Sequence, residues 1–169
     1  MATLTLVNPR VVSGDTLEKV TALIKNGESW KAGQWLTINS SGQLTASVSD
    51  EDAATGGIQY IAPADISDPA NATTTTEVLA IGPDAVFEGN VYHGTAASAL
   101  ATTAQIGMQY GINVASNVVS IDIAETTSPA VIVTEIGSIY APIDNSAADV
   151  YGRIRFKLLT TVREAVLAA

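Results

Sequence analysis

The stretch whose pattern decides the fold is Val150-Tyr151-Gly152-Arg153-Ile154-Arg155-Phe156-Lys157-Leu158-Leu159. Arg153, Arg155 and Lys157 recur at every second position, with Ile154, Phe156 and Leu158 between them. A period of two is the period of a strand, whose side chains point alternately to opposite faces. The stretch predicts a strand with an apolar face toward a core and a cationic face outward.

Working back from it, residues 130–136 (Ala-Val-Ile-Val-Thr-Glu-Ile) predict another strand. Residues 107–112 and 118–123 predict a hairpin around Ala115-Ser116-Asn117. Residues 96–104 are rich in small side chains and fit one or two helical turns, and residues 138–149 form a loop around Pro142. Further upstream come strands at residues 85–89, 74–81 and 58–62, and the pair 35–39 and 43–46 around the turn Ser40-Ser41-Gly42. Residues 14–27 fit two descriptions. Asp15 and Glu18 make a capping box and Leu17, Val20, Leu23 and Ile24 a helical stripe, whereas Val20, Ala22 and Ile24 also alternate as in a strand. The period slightly favours the helix. The tail from Thr160 fits a short helix or a last strand.

Many short strands separated by Gly, Pro and Asn turns predict an all-β chain, a compact barrel or sandwich of short antiparallel strands with little helix. Residues 1–13 predict an extended N-terminal arm, in which Leu4, Leu6 and Val7 are the side chains offered to a sheet edge or a neighbouring chain. Residues 14–95 form a first β-rich region and residues 96–169 a second β layer, continuous with it as one domain.

At 169 residues the chain is long enough to bury a core without disulfides. It has no Cys, which excludes thiolate metal sites and cysteine nucleophiles, and a single His, which excludes a zinc site built from several. No run approaches the roughly 18 apolar residues of a membrane span. The start, with no basic residue ahead of its apolar ones, does not fit a signal peptide. Charge is segregated: residues 34–152 contain no Lys or Arg and hold thirteen of the seventeen carboxylates. A surface that acidic repels phosphate backbones, so neither nucleic acid nor membrane is an expected partner.

Motifs with chemistry are scarce. His93, in Val91-Tyr92-His93-Gly94, has no orienting partner in a recognisable pattern. Asp50-Glu51-Asp52 lacks the spacing of a calcium loop, and Gly56-Gly57 is no phosphate loop. No cofactor, metal or catalytic set is expected. Trp30 and Trp35 flank a turn and fit either core anchors or interface hot spots. Arg153, Arg155 and Lys157 fit either a solvated face or an interface with an acidic partner.

The order Lys31-Ala32-Gly33-Gln34-Trp35-Leu36-Thr37-Ile38, then Ser41-Gly42-Gln43-Leu44, then Gly56-Gly57-Ile58 resembles tailed-bacteriophage head-decoration (capsid cement) proteins of the lambda type. A Thr-rich strand at residues 73–79 and a Phe-containing strand at 85–89 continue the resemblance, which covers residues 28–92. Residues 106–159 have no counterpart in the small lambda-type protein and look like the second β layer of larger cement proteins. The resemblance implies a β-rich protein, often a homotrimer, on the exterior of the virion. It would bind the major capsid protein and clamp neighbouring capsomers, with an N-terminal arm adding a strand to the shell. A structural β module of a pilus, tail fibre or surface layer is the alternative.

Overall fold

Trp35 and Leu36 are neighbours on one strand, so they point to opposite faces, and each fills a different core. The computed structural model, which describes residues 5–14, 17–47, 57–67, 74–136 and 150–163, shows an all-β chain built around those two cores.

The first core lies inside a closed five-stranded barrel. Its strands are β2 (Glu18–Ile24), β3 (Trp35–Ile38), β4 (Gln43–Ala46), β5 (Tyr60–Ile61) and β6 (Thr75–Ala80), in the order β2-β4-β3-β5-β6. Ile24, Leu36, Leu44, Ala46 and Val78 fill it, with Trp30 packed among them. The ambiguity of residues 14–27 resolves as strand. β2 pairs antiparallel with β6 from Glu18↔Ala80 to Leu23↔Thr75, and parallel with β4 at Leu23↔Gln43. Helical periodicity loses because the barrel closes only if both edges of β2 are paired, and as a strand Val20, Ala22 and Ile24 all turn to the barrel core.

The second core is enclosed by a six-stranded sheet of β1 (Arg10–Ser13), β7 (Val86–Tyr92), β8 (Gln109–Ala115), β9 (Val118–Asp122), β10 (Val131–Ile136) and β11 (Arg153–Leu158). The order is β1-β7-β11-β10-β8-β9, and β9 also pairs in parallel with the end of β7 at Val91↔Ile121, so the sheet curls back on itself. The other pairings in this sheet are antiparallel. The β8–β9 hairpin turns through Ser116 and Asn117, whose φ angles of 51° and 62° are those of a two-residue turn matched to strand twist. Helix among the described residues is confined to two short 3₁₀ turns, Ala96–Ser98 and Thr103–Gln105, and to α1 (Thr160–Arg163).

One sequence expectation changes here, and one choice between two readings is decided. β1 puts Arg10–Ser13 inside the sheet, opposite Glu88, Phe87 and Val86, so these residues are not an arm standing away from the body. Trp30 and Trp35 are 1% and 0% exposed. They are core anchors, and neither is available to a partner as a surface hot spot. The barrel and the sheet meet at β3, β5 and β6, whose outward-facing Trp35, Ile61 and Leu79 pack into the core of the larger sheet. Trp35 meets Phe87 and Phe156 edge-on, at centroid distances of 5.4 and 5.9 Å, while the two phenylalanines stack at 5.8 Å.

Phe156→Ala removes the ring common to this cluster and to the deciding stretch. A cost of about 3–5 kcal/mol is expected in urea unfolding, with barrel and sheet signals lost in a single transition. Two separate transitions would mean that the cores are independent.

Candidate interface: the N-terminal strap and the charged sheet face

The only sequence-derived site residues near the surface lie in two places, the N-terminal segment and the outer face of the larger sheet. Leu4 falls outside the described residues. Leu6 is half-buried and Val7 is 43% exposed. From Val7 onward the segment is fastened to the body as a strap. The Val7 amide donates to Asn90 Oδ1 at 3.1 Å. Asn8 bridges three places: its Nδ2 donates to the carbonyls of Ala32 and Asn117, and its Oδ1 accepts from the Val119 amide at 2.8 Å. One amide side chain thus ties the strap to the barrel loop and to the β8–β9 turn.

The groove beneath the strap is cut to its shape. A Cβ on Gly33 would lie 2.9 Å from Asn8 Cβ, and a Cβ on Gly89 would lie 3.3 Å from Pro9 Cγ and 3.2 Å from the Phe156 ring. Pro9 is buried there, and its missing N–H leaves no donor to satisfy. The strap runs on into β1.

On the sheet's outer face the strand register lines up four charges. Arg10 on β1 stands opposite Glu88 on β7, Glu88 opposite Arg155 on β11, and Arg155 opposite Glu135 on β10. The row alternates in sign across four strands. Glu88 is its centre: its carboxylate is 1% exposed, 2.7 Å from Arg10, 3.6 Å from Arg153 and 3.8 Å from Arg155. Arg155 also donates to Glu135, and Lys157 lies 3.6 Å from Asp84. The stripe Arg153, Arg155 and Lys157 therefore faces outward as its period implies, but its charge is answered within the chain.

A second charged knot holds the barrel loop that receives Asn8. Asp65 accepts the Ala32 amide at 2.8 Å and pairs with Lys31 Nζ at 3.0 Å, and the first of these contacts is the larger cause of a carboxyl pKa below the ordinary 3.8. Glu125 is lowered likewise, by the amides of Ser128 and Thr127, which close the β9–β10 connection. His93 Nδ1 accepts the Thr95 amide and organises its own turn. Among the described residues no group of three or more His, Asp or Glu is gathered as for a metal ion, and no helix is long and apolar enough to cross a membrane.

Asn8 and Glu88 carry this site, and neither stood out in the sequence. Glu88 sits in an ordinary strand pattern, and only the register of β7 between β1 and β11 brings three guanidiniums over it. The one signal was compositional: a chain with eight basic residues placed three of them on one strand face, which calls for a carboxylate nearby.

Glu88→Gln leaves Arg10, Arg153 and Arg155 crowded over a neutral group, and a loss of about 3 kcal/mol is expected in denaturant melts. Glu135→Gln removes a carboxylate that is 59% exposed and should cost below about 1 kcal/mol. Equal costs would deny Glu88 its central place. Asp65 ionises below its ordinary pKa in the folded chain, so its hold on the loop is complete above the unfolded value and lost as pH falls through the folded one. The Ala32 amide resonance should titrate with a midpoint below 3.8, and Asp65→Asn should abolish that titration.

Neither a protein-family model nor a curated protein sequence matches this chain, so what the site does is inferred from its own geometry.

Proposed function

We propose that the chain is a structural capsid-decoration protein, which binds the outside of a phage head and clamps neighbouring capsomers. The decoration-like order of strands and turns in residues 28–92 carries this reading, since that span supplies β3 to β6, four of the five strands of the closed barrel. The fastening of the strap refines it. Residues 7–13 belong to the body, so the shell-contacting arm is confined to residues 1–6, with Leu4 and Leu6 as its apolar side chains.

The charges refine the partner as well. Lys19, Lys25 and Lys31 pair with Glu77, Glu28 and Asp65, and the four basic residues of the sheet face have carboxylates within 4 Å. Among the described side chains the cations are thus matched, and with a net charge of −9 for the chain the excess charge is negative. The shell surface that receives this chain is then cationic, and copies of the chain repel one another except where backbone or apolar contacts hold them. Trimer formation belongs to the proposal on the strength of the resemblance alone.

The test is co-sedimentation of the purified chain with shells assembled from the major capsid protein of the genome that carries it. Binding is expected at low salt, and it should weaken as ionic strength rises past about 0.1 M, where screening falls to about 10 Å. Deleting residues 1–6 should abolish binding and leave the melting temperature within a few degrees. Deleting residues 1–13 should also destabilise the fold, because it removes β1 and the Asn8 bridges. No binding by the full chain, or full binding by the six-residue deletion, would overturn the reading, and polymerisation of the chain alone into fibres would favour the alternative.

A further inference from the structure

The β3–β4 hairpin has an apolar face toward the barrel core and a polar ladder on its other face. Three cross-strand rungs make up the ladder. At the outermost, Asn39 Nδ2 donates to Gln43 Oε1 at 3.3 Å. In the middle, the hydroxyls of Thr37 and Thr45 lie 2.9 Å apart. At the innermost rung the Ser47 amide donates to the Trp35 carbonyl at 3.0 Å, which sets Trp35 directly opposite Ser47 on the same face.

The first two rungs are closed by side-chain hydrogen bonds, and the third is not. Trp35 Nε1 and Ser47 Oγ have no protein partner, although both residues are 0% exposed. Leaving two such groups unsatisfied in a core is unfavourable, because each has given up its hydrogen bonds to water and gained none in exchange. Native cores avoid this cost, and a bridging water is a usual means of pairing buried polar groups on neighbouring residues.

We infer that the third rung binds an internal water molecule, which accepts from Trp35 Nε1 and bonds Ser47 Oγ. Three features support it. The two orphan groups are cross-strand neighbours, whose Cβ atoms lie about 5 Å apart in such a pair. They are complementary to water, since the indole is a donor only and the hydroxyl both donates and accepts. The ladder also gives an entry path, since it runs from the half-buried Asn39 and Gln43 to the fully buried rung. Trp35 is one of the side chains that join the barrel to the second core, so this water would stand at the junction of the two.

A high-resolution crystal structure of the full chain should show a peak within about 2.7–3.2 Å of both atoms. In solution, the Trp35 indole proton, one of only two indole N–H groups in the chain, should give a cross-peak to a long-lived water. Ser47→Ala should abolish that cross-peak while contacts of the Trp35 ring to Phe87 persist, and Ser47→Thr, which keeps the hydroxyl, should retain it. Absence of the peak, or a direct Trp35 Nε1 to Ser47 Oγ hydrogen bond in its place, would overturn the inference. So would a cross-peak undiminished in Ser47→Ala. Should Ser47→Ala fail to fold, the crystal structure and the cross-peak of the unaltered chain decide.

Discussion

Trp35, Phe87 and Phe156 form the contact on which the other elements depend. A five-stranded barrel of such short strands has room for few core side chains, and a curled sheet of six strands has one open side. Each unit is completed by the other. Trp35 leaves the barrel wall and enters the sheet core, where it meets both phenylalanines edge-on. A T-shaped contact sets the positive ring edge against the negative ring face, so it fixes an angle as well as a distance. In a chain only 5% aromatic, three of the largest rings are spent at one junction. The barrel therefore has little freedom to turn against the sheet, and the strap of residues 7–13 closes the same junction from outside through Asn8.

The strands with a clean period were legible in the sequence. β11 begins three residues into the predicted stretch 150–159 and ends one residue before its close, and the β8–β9 hairpin turns at Ser116-Asn117, within the marked Ala115-Ser116-Asn117. Local pattern sufficed there because one face of each strand is buried and the turn demands residues that tolerate positive φ. It was insufficient for β2, where helical and strand periods overlap over seven residues and only pairing with β4 and β6 decides. The candidate site was less legible still. A basic stripe is visible in one strand, but its counter-charge comes from β7, roughly 65 residues earlier, and the register that joins them is a property of the sheet. The strap was misjudged for a related reason. Two of its hydrogen bonds join asparagine side chains to backbone amides over 80 residues away in sequence, Asn90 of β7 to Val7 and Asn8 to Val119 of β9, and no period records such contacts.

The buried Glu88 shows how this chain uses its few cations. A carboxylate with 1% exposure is costly unless it is surrounded by opposite charge, and three arginines gather over it. Two of them come from β11 and one from β1, so the ion cluster clamps three strands at one level. Such clusters add little net stability over an apolar alternative, but they punish misregister, because a shift of one residue would turn Glu88 into the aromatic core. β1 is short, lies at the sheet edge and has a register shift between Val11 and Ser13, so it gains most from that definition.

The same features limit how β1 can meet another chain. An edge strand offers unpaired backbone groups to any passing strand, and proteins blunt such edges with proline, charge and bulges. β1 has all three. Pro9 is buried just before it, Arg10 is turned onto Glu88, and the register shift against β7 breaks the regularity of the strand. A blunted edge is poorly suited to adding a long strand from a partner. With the described cations matched by carboxylates, electrostatic attraction to an acidic surface is weak as well. The strand contact proposed above is then better suited to residues ahead of the strap, where the sequence alternates Thr3, Thr5 and Val7 with Leu4 and Leu6. The fastening gives such an arm a fixed root. A peptide tied at one end loses less freedom on binding than a free one, and the hydrogen bonds at Val7 and Asn8 would supply that tie for the proposed arm.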